Sequence, residues 1–105
     1  MPDIAVEIDK DKLRDFCRKW KITEFALFGS VLRPEEFRQD SDIDVLARFA
    51  PDAKWTMFEW VTMEDELAAI FERPVDLVER EAVEQSDNRF RRRSILNSAV
   101  LVDVA

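Results

Sequence analysis

A single glycine, Gly29, occurs in the 105 residues, and it directly follows the apolar run Phe25-Ala26-Leu27-Phe28. An average chain of this length carries about seven glycines. A Walker A phosphate loop or a GxGxxG dinucleotide fingerprint needs two or three, so both are excluded. A lone glycine after a buried strand instead marks one place where the backbone must turn or approach something closely, because no Cβ intervenes.

Other absences narrow the chemistry further. There is no histidine, which removes Ser-His-Asp and Cys-His nucleophiles and any His-ligated metal site. The one cysteine, Cys17, cannot form an intrachain disulfide or build a thiolate cluster. What remains is carboxylates, hydroxyls, Lys and Arg, and carboxylates with Mg²⁺ lead that group. Length implies one small domain over 1–105. The chain is 37% charged, yet 47% hydrophobic with eight Phe and three Trp, which fits a packed core rather than a disordered tail. No apolar run exceeds five residues (Leu67 to Phe71), and the first dozen residues lack the apolar segment of a secretory signal. The cytoplasm is therefore the expected compartment, with no membrane association.

Periodicity divides the chain into interleaved helices and strands. Leu13, Phe16, Cys17 and Trp20 recur at i, i+3, i+4, i+7 and predict a helix from Asp9 to Trp20. Phe25 to Phe28 predicts a buried strand, and a polar turn containing Pro34, Glu35, Glu36, Arg38, Gln39 and Asp40 follows Arg33. Ser41 to Phe49 predicts a second strand. Met57, Trp60, Val61, Leu67, Ala68 and Phe71 predict an amphipathic helix over Thr56 to Phe71, interrupted by Glu64. Trp55, Phe58, Met63 and Ile70 lie off that stripe, as either an exposed partner patch or a second packing face. Val75 to Val78 predicts a third strand, Asn88 to Ala99 a weakly patterned helix, and Val100 to Val102 a terminal strand. The expected fold is α/β (α+β), a small mixed sheet with helices packed against it.

Charge is unevenly spread. Residues 52–87 hold 11 acids and 3 bases, net −8, whereas residues 88–105 hold 1 acid and 4 bases, net +3. The overall charge of −7 argues against stable binding of duplex nucleic acid, which needs a basic face. Arg89, Arg91, Arg92 and Arg93 read either as a solvated helix face balancing the acidic segment or as a site for phosphates or an acidic partner.

Three elements carry candidate chemistry. Gly29 and Ser30 form a strand-to-helix turn, in which Ser30 either caps the helix or presents its hydroxyl and amide to an anion, with Arg33 one turn on. Asp42 and Asp44, two apart on a strand, point to the same face and suit a metal, an Arg or solvent. Asp76 stands among strand apolars, a position expected at a sheet edge or a site.

Together, FGSVLR (28–33), SDIDVL (41–46) and PVDLV (74–78) resemble the minimal nucleotidyltransferases of the DNA polymerase β-like superfamily. The signature of that family is Gly-Ser, about ten residues, Asp-x-Asp, and a third carboxylate on a later strand. Here eleven residues separate Ser30 from Asp42, and Pro34 stands where many relatives carry Gly. One added residue in a surface turn is easily accommodated.

The resemblance implies a nucleotidyltransferase fold and the following roles. Gly29, Ser30 and Arg33 bind the nucleotide; Asp42, Asp44 and Asp76 are catalytic and hold Mg²⁺; ATP is the substrate. It further implies an antitoxin that adds AMP to a hydroxyl of a HEPN-type toxin encoded by a neighbouring gene, in a homo- or hetero-oligomer. The expected acceptor is a tyrosine, and since this chain has no Tyr, it must lie on another chain. The alternative is a non-catalytic antitoxin that acts by occlusion. A drug-modifying transferase is disfavoured, because 105 residues leave no acceptor-binding domain.

Overall fold

The computed structural model describes residues 8–33, 35 and 41–102. Helix α1 (Lys10–Lys19) starts where the Asp9 side chain accepts the Lys12 backbone N–H at 3.2 Å, satisfying a donor that the first helical turn leaves unpaired. Its stripe Leu13, Phe16, Cys17 and Trp20 is buried. The chain then runs through β1 (Ile22–Phe28) into a single 3₁₀ turn (Gly29–Leu32) and returns in β2 (Ile43–Phe49). Most of the predicted polar turn (34 and 36–40), with its extra residue, lies outside the described residues.

Helix α2 (Met57–Phe71) opens with a reciprocal capping box. Thr56 Oγ1 accepts the Glu59 N–H at 3.3 Å, and Glu59 Oε1 accepts the Thr56 N–H at 3.1 Å. After Pro74 come β3 (Val75–Glu79), a short α3 (Arg80–Glu84) not predicted from periodicity, α4 (Arg89–Ser98) and β4 (Val100–Leu101).

The four strands form one mixed sheet in the order β3-β2-β1-β4. β1 runs antiparallel to β2 and to β4, while β3 lies parallel to β2. The parallel pair is what the α2 crossover permits, since two parallel strands cannot be joined by a hairpin.

Both faces of the sheet are covered. On one, Phe25, Leu27, Ile43, Val45, Ala47 and Leu77 pack with Leu13, Phe16, Met63 and Leu67 from α1 and α2. On the other, Ala26 and Leu46 meet Val83 and Ile95. Strands β1, β2 and β3 thus present residues to two separate cores, one on each face.

The side of α2 that faces the sheet matches the expected stripe at Trp60, Leu67 and Phe71 but not in its first turns. Met57 and Val61 are exposed, and the buried residues are Met63, Leu67 and Phe71. Trp55, Trp60 and Ile70 pack against the core edge, whereas Phe58 is 88% exposed. Glu64 lies between Trp60 and Leu67 on the inner side because it has a partner there. Its Oε2 accepts the backbone N–H of Leu77 at 2.9 Å, on the edge strand β3. An edge N–H without a sheet partner is thereby satisfied, and β3 is tied to α2.

Candidate nucleotide site

The site grows from the end of β1. Gly29 has φ +79°, a backbone conformation that side chains with a Cβ rarely adopt. A Cβ there would overlap Asp44 Oδ2 and stand 3.3 Å from Asp44 Cγ. The lone glycine therefore answers two demands, a left-handed turn and the close approach of a carboxylate.

Ser30 lies inside the 3₁₀ turn rather than capping it. Phe28 is the N-cap residue and makes no side-chain capping bond. The Ser30 carbonyl accepts the Arg33 N–H at 2.9 Å, closing the turn.

Strand register assembles the acids. Asp44 pairs with Phe28 on β1 and with Asp76 on β3, so two carboxylates stand side by side on adjacent strands, roughly 4.8 Å apart at the backbone. Asp42 falls just before β2 rather than within the expected strand and is exposed. Its charge still reaches the site. Burial first, then the charges of Asp76 and Asp42, push the Asp44 carboxyl above its ordinary range, while Arg33 draws it back. Among the described residues, no three acidic side chains are gathered into a ready-made metal cage.

A cleft of about 320 Å³ opens over these groups. Phe28, Gly29 and Arg33 form one side, Asp44 and Asp76 the floor, and Arg91, Ser94, Ile95 and Ser98 of α4 the other side. Ser30 and Asp42 are not part of this wall. The C-terminal arginines divide: Arg91 borders the cleft, whereas Arg92 Nη1 donates to the Ser86 carbonyl at 3.2 Å. The sequence carried a signal for this wall, since Arg91, Ser94, Ile95 and Ser98 recur at i, i+3, i+4, i+7 and share one helix face.

A nucleotidyltransferase domain model matches residues 10–102 of the chain. The chain belongs to that family. No curated protein matches it in sequence. Among solved structures, a toxin–antitoxin crystal structure with AMP-PNP matches with TM-score 0.65 at 20% identity, over 90% of this chain and 72% of the other. A protein assigned as a minimal nucleotidyltransferase matches with TM-score 0.65 at 25% identity, over 87% and 86%. A chain from the complex of a tri-AMPylated Shewanella oneidensis HEPN toxin with an MNT antitoxin matches with TM-score 0.56 at 18% identity, over 88% and 66%.

The fold of this nucleotidyltransferase is thus that of the minimal nucleotidyltransferases. Among its described residues, no helix is long and apolar enough to cross a membrane.

Proposed function

We propose that this nucleotidyltransferase transfers AMP from ATP, in a Mg²⁺-dependent reaction, to a tyrosine hydroxyl of a HEPN-type toxin and acts as its antitoxin. The observation that carries the reading is the approach of Gly29 to Asp44, with Asp76 in register beside it. A backbone turn able to receive phosphates stands directly against paired carboxylates. Neighbouring structures containing AMP-PNP and an AMPylated toxin support the choice of nucleotide and partner.

The donor set fits a hard divalent cation. Asp42, Asp44 and Asp76 offer only carboxylate oxygens, and burial, followed by the charges of Asp76 and Asp42, raises the Asp44 carboxyl. These three would hold Mg²⁺, which when bound neutralises phosphate charge and makes the α-phosphorus more electrophilic.

The chain's own groups supply the rest. The 3₁₀ turn at Gly29 and Ser30 receives the triphosphate, flanked by Arg33 and Arg91. Asp76, exposed on the edge strand, is open to a hydroxyl from another chain and takes its proton. The acceptor oxygen then bonds to the α-phosphorus. The bond to the bridging oxygen breaks, and pyrophosphate leaves with the electron pair.

The test is the intact mass of the neighbouring-gene protein after co-expression with the wild type or with the Asp42→Asn, Asp44→Asn double variant. A partner heavier by whole AMP units only with the wild type supports transfer. An unmodified partner that is neutralised and co-purified by both forms would establish an antitoxin acting by contact alone.

A further inference from the structure

Asp76 stands on a weakly supported strand of the sheet. Among the described residues, β3 is hydrogen-bonded to a strand on one side only, where it meets β2. Its partner in that register is Asp44, and two like charges side by side favour separation of the strands at this point. On the free side, the Leu77 N–H is the group that an outer strand would bind. It donates instead to Glu64 Oε2 of α2, at 2.9 Å.

This bond acts on one particular peptide group. The rigid plane that carries the Leu77 N–H also carries the Asp76 carbonyl, and in a trans peptide the two point in opposite directions. The plane that follows Asp76 is therefore anchored to α2 at one end and faces β2 at the other. The α2 end is itself fixed. Glu64 directly follows Met63 and lies three residues before Leu67, both fully buried, on a helix that opens with a capping box.

We infer that Glu64 is a positioning residue for nucleotidyl transfer, holding Asp76 level with Asp44 by binding the peptide that follows it; this rests on the nucleotidyl-transfer reading. Satisfying a donor does not by itself explain the residue. Water satisfies an N–H at an open sheet edge, whereas a carboxyl group on the inner side of a helix loses solvation. What Glu64 adds over water is a fixed point, because it ties the edge strand to the packed core through α2. Asp76 is exposed, so no packing of its own side chain supplies that constraint.

Two variants test the assignment. Glu64→Met removes the acceptor and keeps length and helix propensity, while Glu64→Gln removes the charge and keeps an acceptor oxygen. If Glu64→Met does not fold, Glu64→Ala removes the same acceptor and takes its place. Transfer of label from radiolabelled Mg²⁺-ATP to the neighbouring-gene protein is followed at a temperature where circular dichroism shows every variant folded. Glu64→Met is expected to lower kcat about tenfold with KM for ATP within about twofold, and Glu64→Gln to stay within about twofold of the wild type. In an Asp76→Asn background, Glu64→Met should cost less than about twofold more, since the residue it positions has already lost its function. Amide exchange at Leu77 reads the bond without substrate, and Glu64→Met should speed it about tenfold while Glu64→Gln leaves it slow. Wild-type kcat in Glu64→Met, an equal loss in both backgrounds, or Leu77 exchange indifferent to Glu64→Met would overturn the inference. If the wild type transfers nothing, the nucleotidyl-transfer reading itself fails and this inference falls with it.

Discussion

The two faces of the sheet are built by the same strands and differ in almost every physical respect. On β2, Ile43, Val45 and Ala47 are fully buried against α1 and α2, while Asp44, Leu46 and Arg48 turn the other way. The first face is a continuous apolar core. The second begins as one, at Leu46 and Ile95, and then opens into a charged cleft at Asp44 and Asp76. One face holds the fold and the other carries the carboxylates of the proposed site. Because a strand alternates strictly, a single residue step separates the two roles.

If that division is right, substitutions on each face have separable consequences. The largest is expected from Asp44→Asn, which should reduce nucleotidyl transfer on the order of 1,000-fold. Its melting temperature should stay level or rise, since burial first, and then the charges of Asp76 and Asp42, disfavour the ionised carboxylate that the amide replaces. Parallel transfer assays and circular-dichroism melts check this, and a clear fall in melting temperature would break the division.

Next is Leu67→Ala on the opposite face. It should lower stability by about 2–5 kcal/mol in urea titration, while the fraction that remains folded keeps the nucleotide affinity of the wild type. Gly29→Ala sits where the faces meet. The left-handed conformation should cost about 1–2 kcal/mol, and the displaced Asp44 carboxylate should depress transfer more than the stability loss explains. Equal losses in the two assays would mean that Gly29 serves only the turn.

The smallest effect belongs to Glu66, which joins α1 to α2 on the structural side. Burial alone would raise its carboxyl. Hydrogen bonds from Lys19 Nζ (2.7 Å) and Trp20 Nε1 (3.0 Å) outweigh burial and hold it below its ordinary range. A lowered folded-state value stabilises at pH above the unfolded carboxyl's pKa, about 4.3 for a glutamate. That contribution disappears as pH falls through the folded value. Glu66→Gln should therefore flatten the acid-unfolding curve between about pH 5 and 3. An unchanged slope would show that the contact adds nothing. Cys17 is a companion marker for the same core, since burial pushes its thiol up to about 12. The native protein should resist thiol alkylation at pH 8, and Leu67→Ala should speed it.

What was legible in the sequence was local. Three apolar runs, the α1 stripe and the placement of Gly29 before a turn follow from periodicity and from the conformational demands of single residues. The α2 stripe is right at Trp60, Leu67 and Phe71 and misplaced at Met57 and Val61, for a physical reason. Met57 and Val61 satisfy a helical period, but the neighbours of the helix decide which positions are buried, and the sheet took Met63 together with the expected Leu67 and Phe71. Glu64 read as an interruption because its partner, the Leu77 N–H, belongs to an edge strand thirteen residues away. Arg91 read as one of four equivalent arginines until α4 folded back across the sheet and placed it, rather than Arg92, at the cleft.

The sequence by itself determined the alternation that points Asp44 away from Ile43 and Val45, and the single residue without a Cβ that lets the backbone turn against that aspartate. Only the tertiary structure decided that β3 would lie parallel to β2 with Asp76 level with Asp44, and that α4 would close the cleft. Side-chain period and turn chemistry act over two to four residues. Strand order and register are set by which distant apolar surfaces bury one another, and no local pattern encodes that choice.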